Sequence, residues 1–326
     1  MTAARKALVV GAAGQDGSYM CELLVEHGYD VVGIVRRETC SEIPNLAAVR
    51  DSVRLVQADI ADVERVAATI AEVAPDEIYN FASVSFGPDA WSRPVETAHL
   101  GAVAFAGLIQ SMRECVPAAR LFQSSSAWVF GAPEVAPQNE ATPYAPVEPY
   151  GAAKAFGDFL VRAYRGNDGL FACSGIFYNH ESPRRPERFV TRKVTRAAAA
   201  ISLGRGEELV LGDLDALRDW GYAKDYVRAA WSMLQADAPR DYVIATGELH
   251  SVRELVEIAF GTLGLDWERH VRLDPALQRG AGVVANLVGD ASAARSDLSW
   301  QPSIGFEQLV QIMVDADVRA LERGSA

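Results

Sequence analysis

The run Ala7-Leu-Val-Val-Gly11-Ala-Ala-Gly14-Gln-Asp-Gly17 constrains this chain more than any other stretch. A strand-length apolar segment leads straight into three glycines spaced GxxGxxG, and an amphipathic stretch follows. Gly11 permits a tight turn, Gly14 lets the backbone approach a diphosphate, and Gly17 allows close helix-to-sheet packing. The unpaired N–H groups of the following helix would then face the anion. The same alternation continues, with strand candidates at Ala7–Val10, Asp30–Val35, Val53–Gln57, Glu77–Phe81, Arg120–Ser124 and Phe171–Tyr178. Between them Tyr19–His27, Val63–Val73 and Thr97–Cys115 read as helices. The pattern predicts an α/β fold, a Rossmann-type doubly wound parallel sheet with a smaller C-terminal substrate-binding lobe. Residues 1–178 are expected to form the NAD(P)-binding domain, to which about 213–248 returns through a strand at Tyr242–Ala245. Residues 179–326 are expected to form mainly the substrate lobe.

With 326 residues, 49% of them hydrophobic, the chain can bury a large core. Its net charge of -12 argues against nucleic acid as a partner, because phosphate neutralisation needs a basic surplus. An anionic ligand must instead meet a local cluster of cations. No apolar run reaches the length of a membrane-spanning helix. The N-terminus enters the first strand without a secretory pattern, so a cytoplasmic protein without a membrane partner is expected. Cys21, Cys40, Cys115 and Cys173 are scattered and lack metal-ligand spacing, which points to reduced thiols and no metal.

Chemistry enters at Tyr150-Gly-Ala-Ala-Lys154, where a phenol and an ammonium four residues apart share a helix face. Lys154 and an oxidised nicotinamide would both favour a phenolate and draw the Tyr150 pKa down from about 10. Such a phenol can take a proton from a substrate hydroxyl while hydride leaves the same carbon. Ser126, in the serine run after the fifth strand, can orient the same oxygen. Arg36-Arg37 ends the second strand where the adenosine ribose would lie, and an Arg there accommodates the 2′-phosphate of NADP. NADP is therefore favoured over NAD, with exposed, unliganded arginines as the alternative. Asp59, after the third strand, is a candidate partner for the adenine amino group or a plain surface residue.

Over nearly its whole length the sequence resembles the GDP-mannose 4,6-dehydratases of the extended short-chain dehydrogenase/reductases. The stretches that carry this are Gly14-Gln-Asp-Gly-Ser-Tyr19, Gly33-Ile-Val-Arg-Arg37, Pro149-Tyr-Gly-Ala-Ala-Lys154, Asn179-His-Glu-Ser-Pro-Arg-Arg185, Phe189-Val-Thr-Arg-Lys193 and Arg218-Asp-Trp-Gly-Tyr-Ala-Lys-Asp-Tyr226. The resemblance implies dinucleotide contacts from Gly11, Gly14, Gln15, Asp16, Gly17, Arg36, Arg37, Asp59, Tyr150 and Lys154. It implies contacts to a nucleotide-diphosphate sugar from Asn179, Val190, Lys193, Arg218 and Arg279; Ser85 and Trp128 complete the expected sugar pocket. It also implies a homodimer or homotetramer, with arginines such as Arg184, Arg185 and Arg192 helping to build the oligomer.

The chain departs from that family where the dehydratases read Ser-Thr-Ser-Glu, with the Glu as acid and base at C5 and C6 of the sugar. Here the stretch is Ser125-Ser126-Ala127-Trp128. Ser126 can replace the Thr, but an indole only donates and cannot take up a proton. Ser-Ser-Ser-Ala-x-Val-x-Gly instead resembles UDP-galactose 4-epimerases, which need no C5 base. A second departure is Gly282, three residues after Arg279, where the dehydratases carry a Glu. The expected activity is therefore NAD(P)-dependent C4 oxidation of a GDP-hexose-like or heptose substrate ending in C4 epimerisation. The first alternative is a 4,6-dehydratase whose acid-base has moved, for example to Glu181; the second is a non-catalytic NADP-binding sensor. Trp128 either shapes the sugar pocket or simply packs beside it.

Overall fold

The computed structural model describes residues 4–36, 43–83, 86–277 and 287–324. Arg37, Ser85, Arg279 and Gly282, named above, lie outside these described residues. The strands are β1 (Lys6–Val10), β2 (Asp30–Val35), β3 (Val53–Gln57), β4 (Glu77–Asn80), β5 (Arg120–Ser124), β6 (Phe171–Phe177), β7 (Asn179–Glu181), β8 (Leu209–Leu211), β9 (Leu217–Arg218), β10 (Trp220–Tyr222), β11 (Tyr242–Ile244), β12 (His250–Ser251) and β13 (Val271–Leu273). The helices are α1 (Gln15–Glu26), α2 (Val63–Val73), α3 (Gly87–Ser92), α4 (Pro94–Ala98), α5 (Ala104–Cys115), α6 (Pro149–Asp168), α7 (Val190–Ser202), α8 (Ala223–Gln235), α9 (Val252–Gly261), α10 (Ser292–Leu298) and α11 (Phe306–Glu322).

Among the described residues one seven-stranded sheet runs in the order β11-β6-β5-β4-β1-β2-β3, and every pairing in it is parallel. The strand order reverses between β1 and β4, which opens a crevice at their carboxyl ends. Both faces of the sheet are covered. Ala7 and Val9 of β1 pack into one apolar cluster with Phe122 and Ile176, whereas Leu8 and Val10 pack into another with Phe105 and Leu121. That is why β1 is apolar at consecutive positions rather than alternating. β11 pairs with β6 through Tyr242 to Gly175, so a strand from the second half of the chain closes the sheet's edge.

Two helices differ from expectation. α1 begins at Gln15 instead of Tyr19, because the last glycine of the motif lies inside its first turn. The expected helix Thr97–Cys115 is interrupted by a π-helical turn at His99–Val103. There a Cβ on Gly101 would sit 2.9 Å from that of Ala153 in α6, so a close crossing of two helices coincides with the break in register.

The C-terminal elements have their own apolar cluster, in which Val194 of α7, Leu255 of α9 and Val310 of α11 meet. Small strand pairs, β7 with β10, β8 with β13 and β9 with β12, decorate it. Asp219, between β9 and β10, ties this region to the exit of β11. Its buried carboxylate accepts from Thr246 N at 2.9 Å, Gly247 N at 3.0 Å and Gly289 N at 3.2 Å. No helix among the described residues is long and apolar enough to cross a membrane.

Candidate active site

A cavity of ≈ 570 Å³ opens where β1, β4, β5 and β6 end, and its far wall comes from α7 and the loops around β8 and β9. Its floor is the glycine turn. Gly11 has φ +85°, and a Cβ on Gly17 would lie 2.2 Å from the Gly11 carbonyl oxygen, so only glycine fits that crossing. Gly14 is the N-cap of α1 and no side chain caps the helix, which leaves its first N–H groups for a ligand. A flat, uncrowded backbone over a helix start suits a dinucleotide diphosphate.

Gln15 and Asp16 line this floor, but their side chains are engaged within the protein. Gln15 Nε2 donates to the His180 carbonyl at 3.0 Å, and its Oε1 accepts from Ser182 at 2.8 Å. Asp16 Oδ2 lies 3.0 Å from His180 Nε2. Burial alone would raise the Asp16 carboxyl, yet His180 holds it below its usual range; the His180 pKa is raised in turn, against the pull of burial. Each group thus favours the charged form of the other, and the contact clamps the glycine turn to β7. Arg36, exposed at the end of β2, and Asp59, whose Oδ1 accepts from Ala61 N at 2.9 Å, stand off the cavity wall.

The three serines after β5 divide their duties. The Ser124 carbonyl accepts from Lys154 Nζ at 2.6 Å, Ser125 Oγ donates to Asp158, and Ser126 lines the cavity with Tyr150, whose pKa it acts to lower. Pro149 occupies the first turn of α6, where its missing N–H costs nothing. Gly151 follows because a Cβ there would come within 2.4 Å of the Trp128 carbonyl oxygen. This contact seats the start of α6 on the Ala127–Phe130 turn and carries Tyr150 to Ser126. Lys154, one helical turn on, is 5.7 Å from the Tyr150 ring centroid.

The electrostatics differ from the sequence-based expectation. Burial pushes Tyr150 up to about 12, although Ser126 and Arg185 act to lower it. Burial also lowers Lys154, to about 8. In the protein alone desolvation outweighs the lowering by Ser126 and Arg185, so the phenol is neutral at ordinary pH.

Across the cavity stand Asn179, Val190, Lys193 and Arg218, together with Trp128 beside Ser126. Lys193 Nζ donates to the Val210 carbonyl at 2.7 Å. The arginines that read as an oligomer-building set find partners within the chain. Arg184 pairs with Glu22 and covers Tyr19, and Arg192 Nε meets Asp317 at 2.7 Å. Arg185 lies over Phe189, 3.6 Å from its centroid, and faces Glu181 at 3.1 Å. Glu181 is buried, accepts from Thr191 at 2.6 Å and does not line the cavity. Glu148, which the sequence reading passed over, does line it. Its place two residues before the tyrosine was the available signal.

A dinucleotide cradle on a doubly wound sheet, with serine, tyrosine and lysine at its mouth, defines an extended short-chain dehydrogenase/reductase. The family profile of GDP-mannose 4,6 dehydratase matches residues 8–313, and the chain belongs to that family. It is 41% identical to GDP-mannose 4,6 dehydratase 1 of Arabidopsis thaliana, over 97% of this chain and 91% of that one. Among solved structures, a UDP-glucose 4-epimerase from Thermotoga maritima superposes with a TM-score of 0.87 at 22% identity, covering 97% and 99% of the two chains. A dTDP-glucose 4,6-dehydratase from Streptomyces venezuelae gives 0.85 at 25% identity, covering 98% of each. The chain is thus an NAD(P)-dependent enzyme of the nucleotide-sugar epimerase/dehydratase group.

Proposed function

We propose that this enzyme is a nucleotide-sugar 4,6-dehydratase acting on GDP-mannose or a close relative of it, with NADP favoured over NAD because of Arg36-Arg37. The observation that carries this is that Ser126, Tyr150 and Lys154 line one cavity between the glycine turn and the wall bearing Lys193 and Arg218, in a chain 41% identical to a GDP-mannose dehydratase. On this reading residues 1–178 with about 213–248 hold the dinucleotide, and the rest of 179–326 holds most of the substrate. A bound nicotinamide would accept hydride from C4 of the sugar and later return it. Ser126 orients the C4 hydroxyl, Tyr150 takes its proton, and Lys154 holds the dinucleotide ribose. Lys193 and Arg218 meet the substrate diphosphate, where an Arg fork pairs well with phosphate oxygens.

Trp128 favours a second reading, C4 epimerisation, because the indole replaces the carboxylate that the dehydratases carry there. NMR analysis of the product from GDP-mannose separates the two. The expected product is the 4-keto-6-deoxy sugar; a C4-inverted sugar would establish the second reading instead.

Lys154 also sets a pH dependence. Its pKa, lowered to about 8 by burial, means that the ammonium is charged below that pH and neutral above it. Dinucleotide affinity is therefore expected to weaken as pH rises through about 8, a trend that Lys154→Met should flatten. A fluorescence titration across that range with the same profile for both proteins would remove Lys154 from the binding role.

A further inference from the structure

We propose that Glu148 is the acid-base group of the elimination step, in place of the carboxylate missing at position 128; this rests on the dehydratase reading. Eliminating water across C5 and C6 needs a group that takes up a proton and gives one back. Trp128 cannot do this, and Glu181 is buried off the cavity between Thr191 and Arg185.

Among the described residues three carboxylates line the cavity. Asp16 is committed to His180 beneath the dinucleotide cradle. Asp213 is exposed beyond β8, where it accepts from Asp215 N at 2.9 Å, on a different element from the tyrosine. Glu148 is the N-cap of α6, two residues before Tyr150, and its charge acts on that phenol. Its Oε2 is 3.6 Å from the point where a Cβ on Gly87 would lie, so the carboxylate reaches from α6 toward α3 across the same cavity. Tyr150, Trp128 and Glu148 therefore surround one space that suits the C4 to C6 edge of a sugar.

The chemistry balances. Once C4 is a ketone the C5 hydrogen is acidic, and Glu148 removes it as a proton. The electron pair of that bond forms the C5–C6 double bond as the C6–O bond breaks. The oxygen leaves as water, carrying the proton that Glu148 returns. A bound dinucleotide would supply the hydride that C6 takes up, and Glu148 passes a solvent proton to C5. The proton that Tyr150 took from the C4 hydroxyl is released to solvent.

The test uses the full chain with NADP and GDP-mannose in D2O, comparing wild type with Glu148→Gln and Glu148→Asp. Wild type is expected to give the 4-keto-6-deoxy product with deuterium at C5. Glu148→Gln should lose about 10²-fold or more in product formation. Because hydride leaves C4 but is not returned, this variant should accumulate reduced nicotinamide after mixing. Glu148→Asp should restore part of the elimination. Product formation by Glu148→Gln at the wild-type rate overturns the proposal. So does equal loss of product and of reduced-nicotinamide signal in that variant, which would mark a structural role. A wild-type enzyme that yields a C4-inverted sugar without C5 deuterium overturns the dehydratase reading itself, and this proposal with it.

Discussion

Tyr150→Phe is expected to lower kcat by about 10³- to 10⁴-fold, the upper range for losing a positioned acid-base group. The substitution removes one oxygen and leaves the half-buried ring, so packing at the start of α6 is preserved. What disappears is the hydroxyl that, on the proposed reading, takes the proton from the C4 hydroxyl of the sugar. In the protein alone burial holds Tyr150 at about 12, so positive charge must come from the bound nicotinamide as well as from Lys154 before the phenol can serve as a base. Nucleotide-sugar affinity, read by calorimetry, should stay near wild type while kcat collapses. A Phe variant that turns over normally would remove Tyr150 from the reaction and with it the assignment of the whole cavity.

The second large effect is expected at the glycine turn. Gly17→Val places a Cβ 2.2 Å from the Gly11 carbonyl oxygen, 2.8 Å from its carbon and 2.9 Å from the Ala12 Cα, all of them backbone atoms that cannot rotate aside. Overpacking of this kind costs about 1–3 kcal/mol and sometimes more. Since α1 must lift from β1 to relieve it, that cost falls on the dinucleotide cradle. At about 1.4 kcal/mol per factor of ten, dinucleotide Kd should rise about 10²-fold, with a lower Tm. Fluorescence titration with NADPH and a thermal melt check both. Unchanged affinity would mean that the dinucleotide does not rest on this turn.

Much of the sheet was readable from residue order, because parallel strands buried on both faces are short, continuous apolar runs. Asp30–Val35, Val53–Gln57 and Arg120–Ser124 occur with the expected bounds, and the others differ by a residue at an end. The helices were less legible. The break at His99–Val103 lies where Gly101 meets Ala153, residues more than fifty positions apart, and no local pattern announces it.

The candidate site divides along the same line. Local spacing was enough for the glycine turn and for the Tyr150–Lys154 pair, since a tight turn and one helical repeat are properties of neighbouring residues. The resemblance to the dehydratases, rather than spacing, singled out Trp128 as a departure from their pattern. Only the folded chain showed that Gln15 and Asp16 spend their side chains on His180 and Ser182, that Arg184 and Arg192 are paired internally, and that Glu181 is shut away from the cavity while Glu148 faces it. Backbone conformation is written in short stretches of sequence, whereas the partner and solvation of a charge depend on which distant segments the fold brings against it.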